Sequence, residues 1–199
     1  MKKITLLAAL IAVFSVQAQV TIWEDGFESY PDFETASIGS YTQIDMDGDA
    51  TYGSTTYDFT NEGYTGTAII WNASQTSPAS TGTVYDVRTG SKGLYFFAST
   101  GSVSGTPLNN DYFITPQIDL SLSTGGTTLS FWAQSVTADF GLERFEVLLS
   151  TSGTAVGDFT VNLSGGEEMA PEGVYTEYTY DLSAYEGMQV YVAIPQVII

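Results

Sequence analysis

Asp45, Asp47 and Asp49 stand at alternate positions around Gly48 in the run Ile44-Asp45-Met46-Asp47-Gly48-Asp49. Three carboxylates this close repel one another unless a cation lies between them. Calcium suits such a set better than magnesium, because it accepts roughly six to eight oxygens in loose geometry where magnesium demands near-octahedral ligands. The run is not an EF-hand: counted from Asp45, the positions that motif fills with Gly and Glu are Ala50 and Thr56. A solvated turn, in which the aspartates bond their own backbone, accounts for the same spacing without a metal.

Other chemistries are narrowed by what the chain lacks. It has no histidine and no cysteine, which removes Ser-His-Asp and Cys-His nucleophiles and zinc sites built on imidazole or thiolate. Glycoside hydrolysis needs only two carboxyl groups about 5 to 10 Å apart and survives this filter. Glu143 and Glu146 are the nearest pair, but residues three apart on a strand point to opposite faces and cannot flank one bond. Glu167 and Glu168 fall in a Gly-rich loop and read as solvated. Trp23, Trp71 and Trp132 invite a sugar-stacking reading, against which aromatic residues in strands more often pack the core. Trp132 lies in a strand with core-like neighbours, and Trp71, beside a loop, is the better platform candidate.

The elements that must position these groups are strands. Apolar residues come in short alternating runs separated by Gly, Asn, Asp and Ser, with no helical period. Leu129, Phe131 and Ala133 share one face of 127–134, with Ser130 and Gln134 on the other. Phe145, Val147 and Leu149 repeat the pattern, as do Met188, Val190, Val192 and Ile194. Further strands are expected over 20–24, 52–60, 67–72, 94–98, 112–114, 159–163 and 175–181. Ten or so short strands predict an all-β fold, an antiparallel jelly-roll β-sandwich, and the long polar loops, 74–82 and 99–107 first, are expected to carry binding.

The N-terminus reads Met1-Lys2-Lys3, then an apolar run of about 13 residues from Ile4 to Val16, then Val16-Gln17-Ala18. That is the pattern of a signal peptide cleaved near Ala18, too short for the roughly 20 residues that span a bilayer. Residues 1–18 are thus expected to be removed and 19–199 to form a single domain, secreted or held at the cell surface. Without the leader, Arg88, Lys92 and Arg144 stand against 23 acidic side chains. Nucleic acid is excluded as a partner by that balance, membrane insertion is not expected, and divalent cations are favoured.

Several segments in order resemble one family. Phe27-Glu28, the 44–49 run, 110–121 (Asn-Asp-Tyr-Phe-Ile-Thr-Pro-Gln-Ile-Asp-Leu-Ser), Leu129-Ser130-Phe131-Trp132-Ala133, 145–153, 178–185 and 190–194 are similar to the cleaved-adhesin or "choice-of-anchor J" domains of secreted Bacteroidetes proteins. The resemblance implies a jelly roll stabilised by calcium, with Glu28 approaching the ion that Asp45, Asp47 and Asp49 hold. It also implies a non-catalytic adhesion or ligand-binding module that meets an extracellular protein or glycan. A carbohydrate-binding module and a carboxylate-based glycosidase are the alternatives. Members run on past the strand matching 190–194, so the domain is expected to lack its last strand, with 195–199 too short to close the sheet edge.

Overall fold

The computed structural model describes residues 20–101 and 108–198. The leader at 1–18 and most of the loop 99–107 lie outside these. Twelve strands form, with three single 3-10 turns and no α-helix among the described residues. They are β1 (Thr42–Ile44), β2 (Ile69–Trp71), β3 (Gly93–Tyr95), β4 (Leu108–Ile114), β5 (Ile118–Asp119) and β6 (Thr128–Ala133). The series continues with β7 (Arg144–Phe145), β8 (Leu148–Ser150), β9 (Val161–Asn162), β10 (Glu168–Met169), β11 (Thr176–Asp181) and β12 (Gln189–Ile198). All pair antiparallel, and the result is the expected all-β sandwich.

The larger sheet is organised around β12. On one side β12 meets β4 and then β5, with Ala193 opposite Ile114 and Val190 opposite Ile118; on the other it meets β8 and β7. β1 extends the sheet beyond β4, and β9 and β10 extend it beyond β8 and β7. Val190 and Val192 of β12 join Ile118, Val147 and Leu149 on one face, against which the β6–β11 ribbon lays Leu129, Phe131, Tyr178 and Tyr180. Elsewhere on the molecule Phe113 of β4 packs with Ile70 of β2 and Leu94 of β3. The other face of that second ribbon, with Ile69, Trp71 and Tyr95, meets Phe33, Phe59 and Phe97. Both faces of β2 are therefore buried, which explains its unbroken apolar Ile-Ile-Trp where a half-exposed strand would alternate.

Three expectations differ. Residues 52–60 are not a strand, because Ser54 Oγ accepts from the amides of Thr56 and Tyr57 while Glu62 takes the amide of Ser54. Such local side-chain bonds compete with a ladder. Residues 20–24 are also irregular, and Asp25 anchors the segment instead by accepting from the hydroxyls of Tyr30 and Tyr41. Finally, β12 does not stop at Ile194. Pro195 opposes Tyr112, Gln196 opposes Asp111, and the run carries on to Ile198, so the segment read as a short remnant lies between β4 and β7. Proline is tolerated there beside irregular pairing, with a register shift at Val197/Ile198.

Candidate metal centre

Ile44 of β1 lies opposite Tyr112 of β4, so the next antiparallel position brings Asp45 across from Asp111. Strand alternation puts Asp111 on the face of Phe113, away from Tyr112 and Ile114. There it is buried, with 3% of its surface exposed. The chain then leaves β1 in a turn: Gly48 adopts φ 69°, its amide donates to Asp45 Oδ1 at 2.6 Å, and the amide of Asp49 donates to Asp47 Oδ1 at 2.8 Å. The amide of Met46 donates to Asp111 Oδ1 at 2.8 Å, which ties the turn to β4 across 65 positions of sequence.

These constraints converge on one point. Asp45, Asp47 and Asp111 each offer a carboxylate oxygen, all within 4.8 Å of one another. Oxygens on a single calcium ion lie about 2.3–2.6 Å from it and so up to about 5 Å apart, and the three carboxylates fit such an ion. Burial, followed by the neighbouring Asp45 and Asp47 charges, pushes the Asp111 carboxyl up to about 6, against the amides of Met46 and Asp47, which favour its ionised form. A buried acid facing two more carboxylates is the electrostatic arrangement that a divalent cation relieves.

Of the residues expected at this point, the structure brings Asp45 and Asp47 together. Asp49 turns its carboxylate toward Gly101 instead. Glu28 does not join the group either: its Oε1 accepts from the amides of Ser91 and Lys92 at 2.7 and 3.0 Å, capping the turn before β3. Asp111 takes its place as the third carboxylate, a residue that spacing along the chain does not point to. The usable signal is an aspartate directly before the apolar Tyr112-Phe113-Ile114 run, where an unpaired charge is costly.

Of the tryptophans weighed as core or platform, Trp71 keeps the core reading and Trp132 departs from it. Trp71 is fully buried, stacks on Tyr95 at 5.1 Å and donates from Nε1 to the Tyr85 carbonyl, which makes it core. Trp132 is 41% exposed on the outer face of β6, with the Arg88 guanidinium lying 3.6 Å from its ring centre. The carboxylates considered for glycosidase chemistry each have another partner: Glu143 accepts from Gln196, Glu146 from Asn162, and Glu167 pairs with Arg144.

Comparison with known proteins agrees with the family resemblance carried by the sequence. The family model of the Cleaved Adhesin Domain matches residues 27–88 and 77–195. Hemagglutinin A of Porphyromonas gingivalis is 32% identical over 178 residues, covering 81% of this chain. The chain spans only 6% of that protein's length. Among solved structures, the K1 cleaved adhesin domain of Lys-gingipain from Porphyromonas gingivalis W83 is 20% identical, with 79% of this chain and 88% of that one covered at a TM-score of 0.42. The K2 cleaved adhesin domain of Lys-gingipain is 21% identical, with 86% and 93% covered at a TM-score of 0.48. The chain belongs to the cleaved adhesin domain family.

Proposed function

We propose that this chain is a non-catalytic adhesion module that works outside the cell and holds a structural calcium ion at Asp45, Asp47 and Asp111. The observation that carries the reading is the convergence of these three carboxylates, one of them buried, across the β1–β4 pair. The ion would join the turn after β1 to β4 and thereby stiffen one end of the sandwich. Adhesion itself rests on family membership and on the name of the relative, Hemagglutinin A. Export rests on the leader pattern at 1–18.

The test has two arms. Calorimetric titration of calcium into the chelator-treated chain should give saturable heat that Asp45→Asn together with Asp111→Asn abolishes. Incubation with a panel of polysaccharides and matrix proteins should show retention on at least one of them without release of reducing ends. Reducing ends released from a polysaccharide would overturn the non-catalytic assignment, and absence of calcium heat would remove the ion while leaving adhesion in place.

A further inference from the structure

Arg88 is the cation that this strongly acidic molecule leaves without an acidic partner among the described residues. Lys92 pairs with Asp32 and Arg144 with Glu167, each at 3.0 Å. The guanidinium of Arg88 instead lies over Trp132, its central carbon 3.6 Å from the ring centroid. A guanidinium held over an aromatic ring keeps the N–H donors in its own plane for other partners, and arginine can grip a carboxylate through them with two parallel hydrogen bonds. Two acids stand nearby and neither takes the position. Asp86 spends its carboxylate on the amides of Gly82 and Val87 at 2.7 and 2.9 Å. Glu177, the cross-strand neighbour of Trp132, forms no ion pair with Arg88.

Arg88 borders a groove of about 770 Å³ between the 82–88 segment and the edge of the β6–β11 ribbon. The groove is shallow and open to solvent, with Asp86 also on its lining, so a ligand would lie along it with one face in water. Val84, Val87 and Tyr175 give it an apolar side, while Thr83 and Gln134 add polar groups. The walls are pinned: Gln134 Nε2 donates to the Val84 carbonyl at 2.9 Å, and the Tyr175 hydroxyl to the Asp86 carbonyl at 3.1 Å. A saccharide ring, apolar on one face and hydroxylated at its rim, matches such mixed walls.

We propose that this groove binds the terminal sugar of a glycan through that sugar's carboxylate, with Arg88 as the bidentate partner and Trp132 as the plate that holds Arg88 in position. Twenty-three acidic residues decide the kind of anion. A polyanionic chain would meet their repulsion at every repeat, whereas a single carboxylate at the end of a neutral glycan meets it once and gains a short-range contact that salt screens little. The inference rests on the adhesion reading for its choice of a glycan, but not on the calcium site.

The experiment compares 3′-sialyllactose with lactose by calorimetry on the folded chain. The acidic sugar is expected to bind at least about tenfold more tightly, as a charge-assisted pair requires. Arg88→Ala should remove that difference, and Arg88→Lys should restore only part of it, since an ammonium cannot form the fork. Trp132→Ala should weaken binding about two- to fivefold by freeing the guanidinium. Glu177→Gln, which removes a neighbouring anion without touching the groove, should strengthen it. Each variant's melting curve reports whether it is folded, and Glu177→Gln keeps the proposal open to refutation even if Arg88→Ala is not. Equal affinity for the two sugars, binding of neither, or a preference for a peptide C-terminal carboxylate would overturn the inference. Retention of the chain on neutral glycans or matrix protein alone would overturn it while leaving the adhesion module standing.

Discussion

Replacing Asp111 by Asn should stabilise the chain when calcium is absent. The carboxyl group of Asp111 is raised from 3.8 to about 6 by burial and by the charges of Asp45 and Asp47. At about 1.4 kcal/mol for each pH unit, keeping it ionised in the folded state at pH 7 costs about 3 kcal/mol relative to the unfolded chain. The sign follows from proton binding. Between about pH 4 and pH 6 the folded state holds more protons than the unfolded one, so stability contributed by this group is present below that window and is lost as pH rises through it. Asparagine still accepts from the amide of Met46 but carries no charge, so in chelator at pH 7 the variant should melt about 5–10 °C above the parent for a chain of this size. Calcium at a hundredfold excess over its dissociation constant should return about 2.7 kcal/mol to the parent and little to the variant, closing the gap. Differential scanning calorimetry of both proteins from pH 4 to 7, with chelator and with calcium, measures this directly. The difference between the two curves isolates Asp111 from the many other acids. A difference that stays flat with pH, or a variant that melts below the parent in chelator at pH 7, would refute the electrostatic argument.

Glu28→Gln should leave the calcium heat unchanged while lowering the melting temperature slightly, because that carboxylate serves the amides of Ser91 and Lys92; loss of calcium heat would return Glu28 to the metal. Trp71→Ala should cost about 3–5 kcal/mol by denaturant titration, since the ring is fully buried and stacked on Tyr95. Arg144→Ala removes a pair whose side chains are both more than a third exposed, 38% and 39%, and should change stability by less than about 1 kcal/mol. Glu167→Gln with Glu168→Gln should likewise leave the calcium-dependent part of the melting shift intact.

The strands that alternate were legible in the sequence, and their partners were not. The pattern at 128–133 already put Trp132 on the side of Ser130, opposite Leu129 and Phe131, which is the exposed side of β6. The general preference of aromatic residues for cores pointed the other way, and the local pattern proved the better guide. Trp71 offered no alternation to read, because β2 is buried on both faces. Two of the three converging carboxylates sit two positions apart and were visible as a cluster. The third is fixed by the pairing of β1 with β4, a contact between segments more than sixty residues apart that composition and spacing do not encode. The same gap explains β12: a proline and an apolar tail look like a frayed end until the neighbours on both sides are known.

The position of β12 has a consequence for the order of events when the fold assembles. The strand that joins the two parts of the larger sheet is contributed by residues 189–198, and it stands between β4 and β5 on one side and β7 and β8 on the other. Until it arrives, β1 with β4 and β8 with β9 are separate fragments whose edges have no common neighbour. Closing the sheet brings together positions about eighty residues apart, such as Ala193 and Ile114, and such long-range closure is slow. A chain delivered N-terminus first would therefore hold this sheet in pieces until residues 189–198 had arrived. A stall just before residue 189 would leave β4, β5, β7 and β8 without the neighbour that β12 provides, and such open edges are prone to pair with another copy.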